Sequence, residues 1–387
     1  MKVLTCSQVS HGAYAERVNE LVCLDMPCSQ TFVDRIKRAW DNGDAIFPLD
    51  QRLPGPARAA VLSAIRPTRI ATETDEVSYD GDPVESGDAV VVATSGTTGT
   101  PKGVVLTHSA VEASARATSE RLNVKPSDKW LACLPVSHVG GLSVVLRSLV
   151  MGTSVVTAPQ FSIEAYNQAA QEGATLVSLV STALQRVDPT LYRTIVLGGA
   201  KPPADRPANT VTTYGMTETG SGVVYDGVPL SDVEIEIRDS VVYVRAPMLL
   251  RAYRDGSIPL TSDGWLRTGD IGSFIDGTVS IAGREGDLII TGGENVWPES
   301  VEDAIRSHPL VADICVAGIA DAEWGQIVTA WIVPATNSEV TLDAIREHVK
   351  QSLPAHCAPR QIVITSAIPR TALGKPQRSL LVESFQR

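Results

Sequence analysis

The sequence predicts an α/β fold: a large N-terminal domain of parallel-rich sheets with a small β-rich subdomain, then a small C-terminal α+β domain. Three observations lead there. Short β-branched runs alternate with helically spaced stretches at Ser154–Thr157, Ile163–Gln171, Thr175–Val180, Thr182–Val187 and Thr194–Leu197. That rhythm belongs to a parallel sheet with helices on its faces. From residue 233 it changes to alternation, in Val233-Glu234-Ile235-Glu236-Ile237-Arg238 and Val241-Val242-Tyr243-Val244, which marks antiparallel, half-exposed strands. Finally, Gly283-Arg284-Glu285-Gly286-Asp287 interrupts the pattern, and helices and strands resume beyond it. The division expected is 1–284 and 287–387.

Taken in order, Thr31–Asn42 has helical spacing of Phe32, Ile36, Ala39 and Trp40, and Ala57–Ile65 suggests a second helix. The rest of 1–88 says little. Ala89–Ala93 and Val104–Leu106 are apolar runs that read as buried strands on either side of a polar loop. Ser109–Leu122 is a helix with its alanines and Val111 inward. The next strand ends at Pro135, with His138 at the turn and an apolar helix running to Val150. Beyond the boundary, a strand at Leu288–Thr291 and a helix at Pro298–Ser307 are expected. Strands near Ile314–Gly318 and Val328–Ile332, a helix at Leu342–Leu353 and a strand at Gln361–Thr365 complete the chain. Thr341 is the natural N-cap of that last helix.

Composition narrows the class. The 387 residues are 43% hydrophobic and 20% charged, ordinary values for a protein with a large core. A net charge of −11 repels polyanions, so a general nucleic-acid or anionic-membrane surface is not expected. The six cysteines are scattered without a Cys-x-x-Cys pair, against a zinc site and in favour of a reducing cytoplasm. No basic segment followed by an apolar core opens the chain, and the apolar region Leu142–Ala158 is broken by Arg147 and Gly152. Neither a signal peptide nor a membrane span is read.

The chemistry concentrates in Thr94-Ser95-Gly96-Thr97-Thr98-Gly99-Thr100-Pro101-Lys102-Gly103. Small hydroxyls donate to phosphate oxygens, glycines let backbone N–H groups come close, and the lysine offsets charge, which suits a triphosphate. The spacing of a Walker A loop is absent. Gly198-Gly199-Ala200 follows a strand and would let a flat ring lie against the backbone, although most such pairs only mark turns. In Thr213-Tyr214-Gly215-Met216-Thr217-Glu218-Thr219, Tyr214 can stack on a base, Thr217 can bond a phosphate and Glu218 can hold Mg²⁺. A capping box is the alternative for Thr-x-Glu. Asp270, read in a turn, can accept both hydroxyls of a ribose or serve only as a cap. His138 is either a functional group at the rim of an open sheet or a satisfied structural histidine.

These stretches together resemble the adenylate-forming superfamily of acyl-CoA synthetases, luciferases and peptide-synthetase adenylation domains, from about residue 45 onward. On that resemblance, part of the usual first subdomain is expected to be missing or reduced. The resemblance implies ATP, Mg²⁺ and CoA, with an acyl adenylate between two half-reactions. It assigns ATP to Thr94–Gly99, Lys102, Gly198–Ala200, Tyr214, Gly215, Asp270 and Arg284, and catalysis to Thr217, Glu218 and Lys375 in Gly374-Lys375-Pro376-Gln377-Arg378. It makes His138 a gate to the carboxylate and CoA channel. Gly286 stands at the hinge of a mobile C-terminal domain, and Gly292-Gly293 lines the pantetheine tunnel. The blocks from Pro135 to Val156, from Ser178 to Val187 and from Thr213 to Leu230 look most like the o-succinylbenzoate–CoA ligases of menaquinone biosynthesis. An acid with a second carboxylate needs a cation, for which Arg147 is the candidate; pairing with a carbonyl or an acid is the alternative. Another aryl- or acyl-CoA ligase, an amide-forming adenylase and an inactive nucleotide-binding homologue are the rival functions, and a homodimer is left open.

Overall fold

A computed structural model describes residues 18–95, 101–199, 205–336, 339–370 and 376–385. Two seven-stranded sheets, a four-stranded sheet and a five-stranded sheet organise them. The second sheet runs Val228–Pro229, Gly222–Tyr225, Thr210–Gly215, Thr194–Leu197, Leu176–Leu179, Lys129–Ala132, Ser154–Thr157. Its five strands from Thr210–Gly215 to Ser154–Thr157 are all parallel. Their carboxyl ends therefore share one rim, and the turns leaving that rim carry His138, Gly198-Gly199 and the run from Tyr214 to Glu218. Crevices at such rims are where open α/β sheets take ligands.

The first sheet is mixed. Leu21–Leu24 pairs in parallel with Ala45–Pro48 and Arg69–Ala71, and Asp88–Ser95 makes an antiparallel hairpin with Pro101–Thr107. The four-stranded sheet, Glu234–Arg238, Val241–Arg245, Leu266–Ile275 and Thr278–Arg284, is antiparallel throughout. It places Asp270 inside a ten-residue strand opposite Arg284, not in a turn. The strand before His138 also ends earlier than expected, at Ala132.

Apolar burial divides near residue 285. One set of clusters ends with Ile281 and another begins at Ile289, built from Ile305, Ile314, Val328, Ile345 and their neighbours. Helix Leu342–Lys350 starts as expected, with the Thr341 hydroxyl accepting from the Ala344 N–H at 3.3 Å. The helix Gln30–Asp41 is capped the same way by Ser29 and buries Phe32, Val33, Ile36 and Ala39. Gly292 and Gly293, at φ +58° and +84°, form the two-residue turn between Ile289–Thr291 and Glu294–Val296. Positive φ at both positions is what a tight hairpin needs and what glycine supplies without strain.

Candidate nucleotide and acid site

The polar hairpin sets one wall. Thr94 faces Lys102 in register at its end, and Ser95 faces Pro101. Gly96, Thr97, Thr98 and Gly99 lie outside the described residues, as do Ala200 and Lys375. The two-residue strand Ala252–Tyr253 adds to the far edge of the hairpin, with Tyr253 opposite Val104. Side chains two apart on a strand share a face, so Lys102 comes over the Tyr253 ring, its Nζ 4.9 Å from the centroid. The Tyr253 hydroxyl donates to Glu218 Oε1 at 2.9 Å. Burial and the adjacent Glu218 carboxylate raise the pKa of this phenol, keeping it a donor.

Glu218 belongs to a single 3₁₀ turn, Thr217–Thr219, that follows the strand Thr210–Gly215. The cap there is made by Thr219, whose hydroxyl accepts from the Met216 N–H at 2.9 Å and donates to the Ser221 carbonyl at 2.6 Å. Glu218 takes no part in it, so its carboxylate is free to project toward Tyr253 and Lys102. Gly215 is required by close approach, since a Cβ there would sit 2.2 Å from the Ser221 carbonyl oxygen.

Four residues earlier, the Tyr214 hydroxyl donates to Asp270 Oδ2 at 2.8 Å. Arg284 approaches the other carboxylate oxygen at 3.3 Å and donates to the Thr268 carbonyl at 3.1 Å. Desolvation, reinforced by Asp270, raises the Tyr214 pKa. The turn at the end of the neighbouring strand presents Gly198, where a Cβ would meet Thr213 Cγ2 at 3.0 Å, and Gly199 at φ +87°. Gly198 thus packs beside Thr213, next in the chain to Tyr214.

The same 214–221 run reaches a third feature. Arg147, on helix Val139–Met151, is buried at 3% exposure. Its guanidinium stacks on Trp130 at 5.0 Å and donates to Ser221 Oγ at 3.4 Å. Among the described residues it has no carboxylate partner, and its Nε has no hydrogen-bond partner. A small cavity lined by Ser114, Ser143, Leu146 and Gly220 opens beside it. Burial lowers its pKa, a sign of poor solvation for the cation.

His138 stands one residue before that helix, its Nε2 3.8 Å from Asp50 Oδ2. Burial lowers its pKa and Asp50 opposes this only partly, so the ring is neutral near pH 7. Gly286 lies in the turn Glu285–Asp287, where a Cβ would meet nothing within 4 Å. Glycine is not demanded there by packing. Tyr253 and Asp50 escaped the sequence reading: Tyr253 is 35 residues from Glu218, and neither sits in a marked motif.

A single carboxylate beside a lysine, with few protein ligands for a cation, would suit Mg²⁺ held mainly by substrate phosphates. Glu218 Oε1 is engaged by Tyr253, so its second oxygen is the one that could meet a cation.

The fold and this rim agree with an adenylate-forming protein, and the chain belongs to the AMP-binding enzyme family, whose profile matches residues 39–244. The AMP-binding enzyme C-terminal domain matches 300–375. Among particular relatives, the probable 2-succinylbenzoate–CoA ligase of Mycobacterium tuberculosis is 34% identical over 365 residues, covering 85% of this chain and 94% of its own. The 2-succinylbenzoate–CoA ligase of Bacillus anthracis is 33% identical over 328 residues, 74% of this chain and 67% of that one. The solved o-succinylbenzoate CoA synthetase of Bacillus subtilis, in complex with its acyl-adenylate intermediate, is 26% identical with a TM-score of 0.84, covering 95% of this chain and 89% of that one. The same enzyme has been solved with ATP and magnesium ion, at TM-score 0.83 and 26% identity, covering 95% and 90%. Among the described residues no helix is long and apolar enough to cross a membrane.

Proposed function

We propose that this protein is an ATP-dependent acid–CoA ligase that works through an acyl adenylate, with 2-succinylbenzoate as its acid. The observation that carries this is the single run 214–221. It holds Tyr214 against Asp270, Glu218 against Tyr253 beside Lys102, and Ser221 against Arg147. A nucleotide, its phosphates and an anionic tail of the acid are thereby served from one backbone segment.

A carboxylate is a poor acyl donor because oxide does not leave. Attack of its oxygen on the α-phosphate of ATP expels pyrophosphate and creates a mixed anhydride from which AMP can depart. No general base is needed; positioning and charge stabilisation supply the catalysis. Asp270 and Arg284 take the ribose, Gly198-Gly199 and Tyr214 the base, and Thr94 and Lys102 the outer phosphates. Glu218 would hold Mg²⁺, which when bound neutralises phosphate charge. Lys375 offsets charge at the reacting oxygens in this step alone. For thiol attack, the part beyond Gly286 turns, withdrawing Lys375 and presenting Gly292-Gly293, while His138 guards the channel. Arg147, a buried cation with no carboxylate partner among the described residues, takes the second carboxylate of the acid. The free thiols of the described cysteines fit a cytoplasmic setting.

The test is an acid panel with CoA and with amines as acceptors, following pyrophosphate and product together. 2-Succinylbenzoate is expected to give pyrophosphate and a CoA thioester, ahead of benzoate and aliphatic acids. Arg147→Met should erase that preference, at about 10- to 100-fold for one charged hydrogen-bonded contact. Pyrophosphate release with no acid of the panel refutes the proposal.

A further inference from the structure

Arg147 carries its charge into the protein whether or not an acid is bound, and the charge needs a partner in both states. The residue is 3% exposed and packs among Leu106, Val111 and Leu146. A buried charge is tolerated when it is paired and hydrogen-bonded, and is costly otherwise. Arg147 has little of either. Nη2 donates to Ser221 Oγ at 3.4 Å, a long bond, and Nε has no partner among the described residues. No carboxylate among those residues lies near enough to act on it. The Trp130 ring, 5.0 Å away, offers its negative face. Yet the indole N–H of that ring is itself buried without an acceptor. Donors thus outnumber acceptors around this cation.

The cavity beside it provides room and further donors. Its volume is about 20 Å³, and Ser114, Ser143 and Gly220 line it together with Arg147. That is space for one water-sized body, since a single water needs about 10–15 Å³. Ser114 and Ser143 are buried, and their hydroxyls can donate to whatever lies between them. The lining is assembled from helix His108–Arg121, helix Val139–Met151 and the turn ending at Gly220, not from one stretch of chain. A water in that space would accept hydrogen bonds but leave the charge unbalanced. A monovalent anion does both, and phosphate or sulfate is too large.

We infer that this cavity binds one monovalent anion of halide size, held by Arg147 and the Ser114 and Ser143 hydroxyls. The ion site stands on the cavity and its cation. One consequence rests on the role given to Arg147 under the proposed function: an oxygen of the acid's second carboxylate displaces the ion. Halide therefore competes with 2-succinylbenzoate but not with benzoate, which has no second carboxylate.

The experiment uses the full chain in sodium chloride, with sodium gluconate keeping the ionic strength constant, because gluconate is too large for the cavity. Excess broadening of the chloride magnetic resonance line reports binding without requiring activity. Wild-type protein should broaden the line, and added bromide should reverse the effect by taking the same place. Arg147→Met removes the cation, whereas Ser114→Val fills the cavity and keeps it; both should lose most of the excess. Urea unfolding shows whether the two variants are folded. In turnover, raising chloride from about 10 mM to about 200 mM should raise KM for 2-succinylbenzoate about threefold, as for a site half filled near about 0.1 M. Its kcat should not change, nor should KM for benzoate. No excess broadening in the wild type, or the same broadening in both folded variants, would overturn the inference, since the cavity would then hold only water. Broadening that the variants lose, with KM for the acid unmoved by chloride, would support the ion site and remove Arg147 from the acid pocket. A protein that binds the ion but releases no pyrophosphate with any acid would support the site and refute the proposed function alone.

Discussion

Replacing Asp270 by Asn asks whether this carboxylate is the ribose acceptor. The Asp270 side chain is 13% exposed, so its charge is little screened. A hydrogen bond to a charged acceptor contributes about 1.5–3 kcal/mol against about 0.5–1.5 for a neutral one. For two ribose hydroxyls the difference is about 2 kcal/mol, or about 30-fold in affinity. The fold should barely notice. Tyr214 can still donate to the amide oxygen at the present 2.8 Å. The Arg284 side chain is 44% exposed, so the lost pair is solvent-screened and costs no more than about 1 kcal/mol. Calorimetric titration of ATP without acid, beside urea unfolding, separates the two quantities. ATP affinity within about threefold of wild type would refute the assignment.

Gly215→Ala places a methyl 2.2 Å from the Ser221 carbonyl oxygen, so the 214–221 run must shift; a stability loss of about 1–3 kcal/mol is expected, and an unchanged urea midpoint would contradict it. His138 has its pKa lowered by burial, so between that value and the ordinary value of about 6.5 the unfolded chain binds the extra proton. Stability should therefore fall as pH drops below 7, and His138→Gln should flatten that slope between pH 7 and 5.5; identical slopes in unfolding titrations would refute it. Burial pushes the thiols of Cys23, Cys28, Cys133 and Cys315 up to about 12. Peptide mapping after alkylation at pH 8 should find them labelled only in unfolded protein, and native labelling would contradict their burial.

Legibility in the sequence followed chemistry that is local. The polar hairpin, the Tyr214–Glu218 turn and the alternation after Val233 each announce themselves within ten residues, and they fall in the first sheet, at the rim of the second and in the four-stranded sheet. The short strands Leu21–Leu24 and Ala45–Pro48 did not. They are four residues long and buried on both faces, so they carry no alternation to read. Asp270 reads as a turn residue because Gly269 precedes it; Gly269 at φ +72° instead bends a continuous strand. Tyr253 and Asp50 enter through tertiary meetings, across 35 residues for Tyr253 and Glu218. No spacing rule reaches that far. Arg147 was ambiguous in sequence between a pocket cation and an ion-pair partner; the described residues supply no carboxylate for it.

The most direct measurement is exchange of labelled pyrophosphate into ATP, with 2-succinylbenzoate present and CoA withheld. Reversible formation of an acyl adenylate predicts labelled ATP that depends on the acid and on Lys375. Exchange that proceeds without the acid, or appears only when CoA is added, would contradict it.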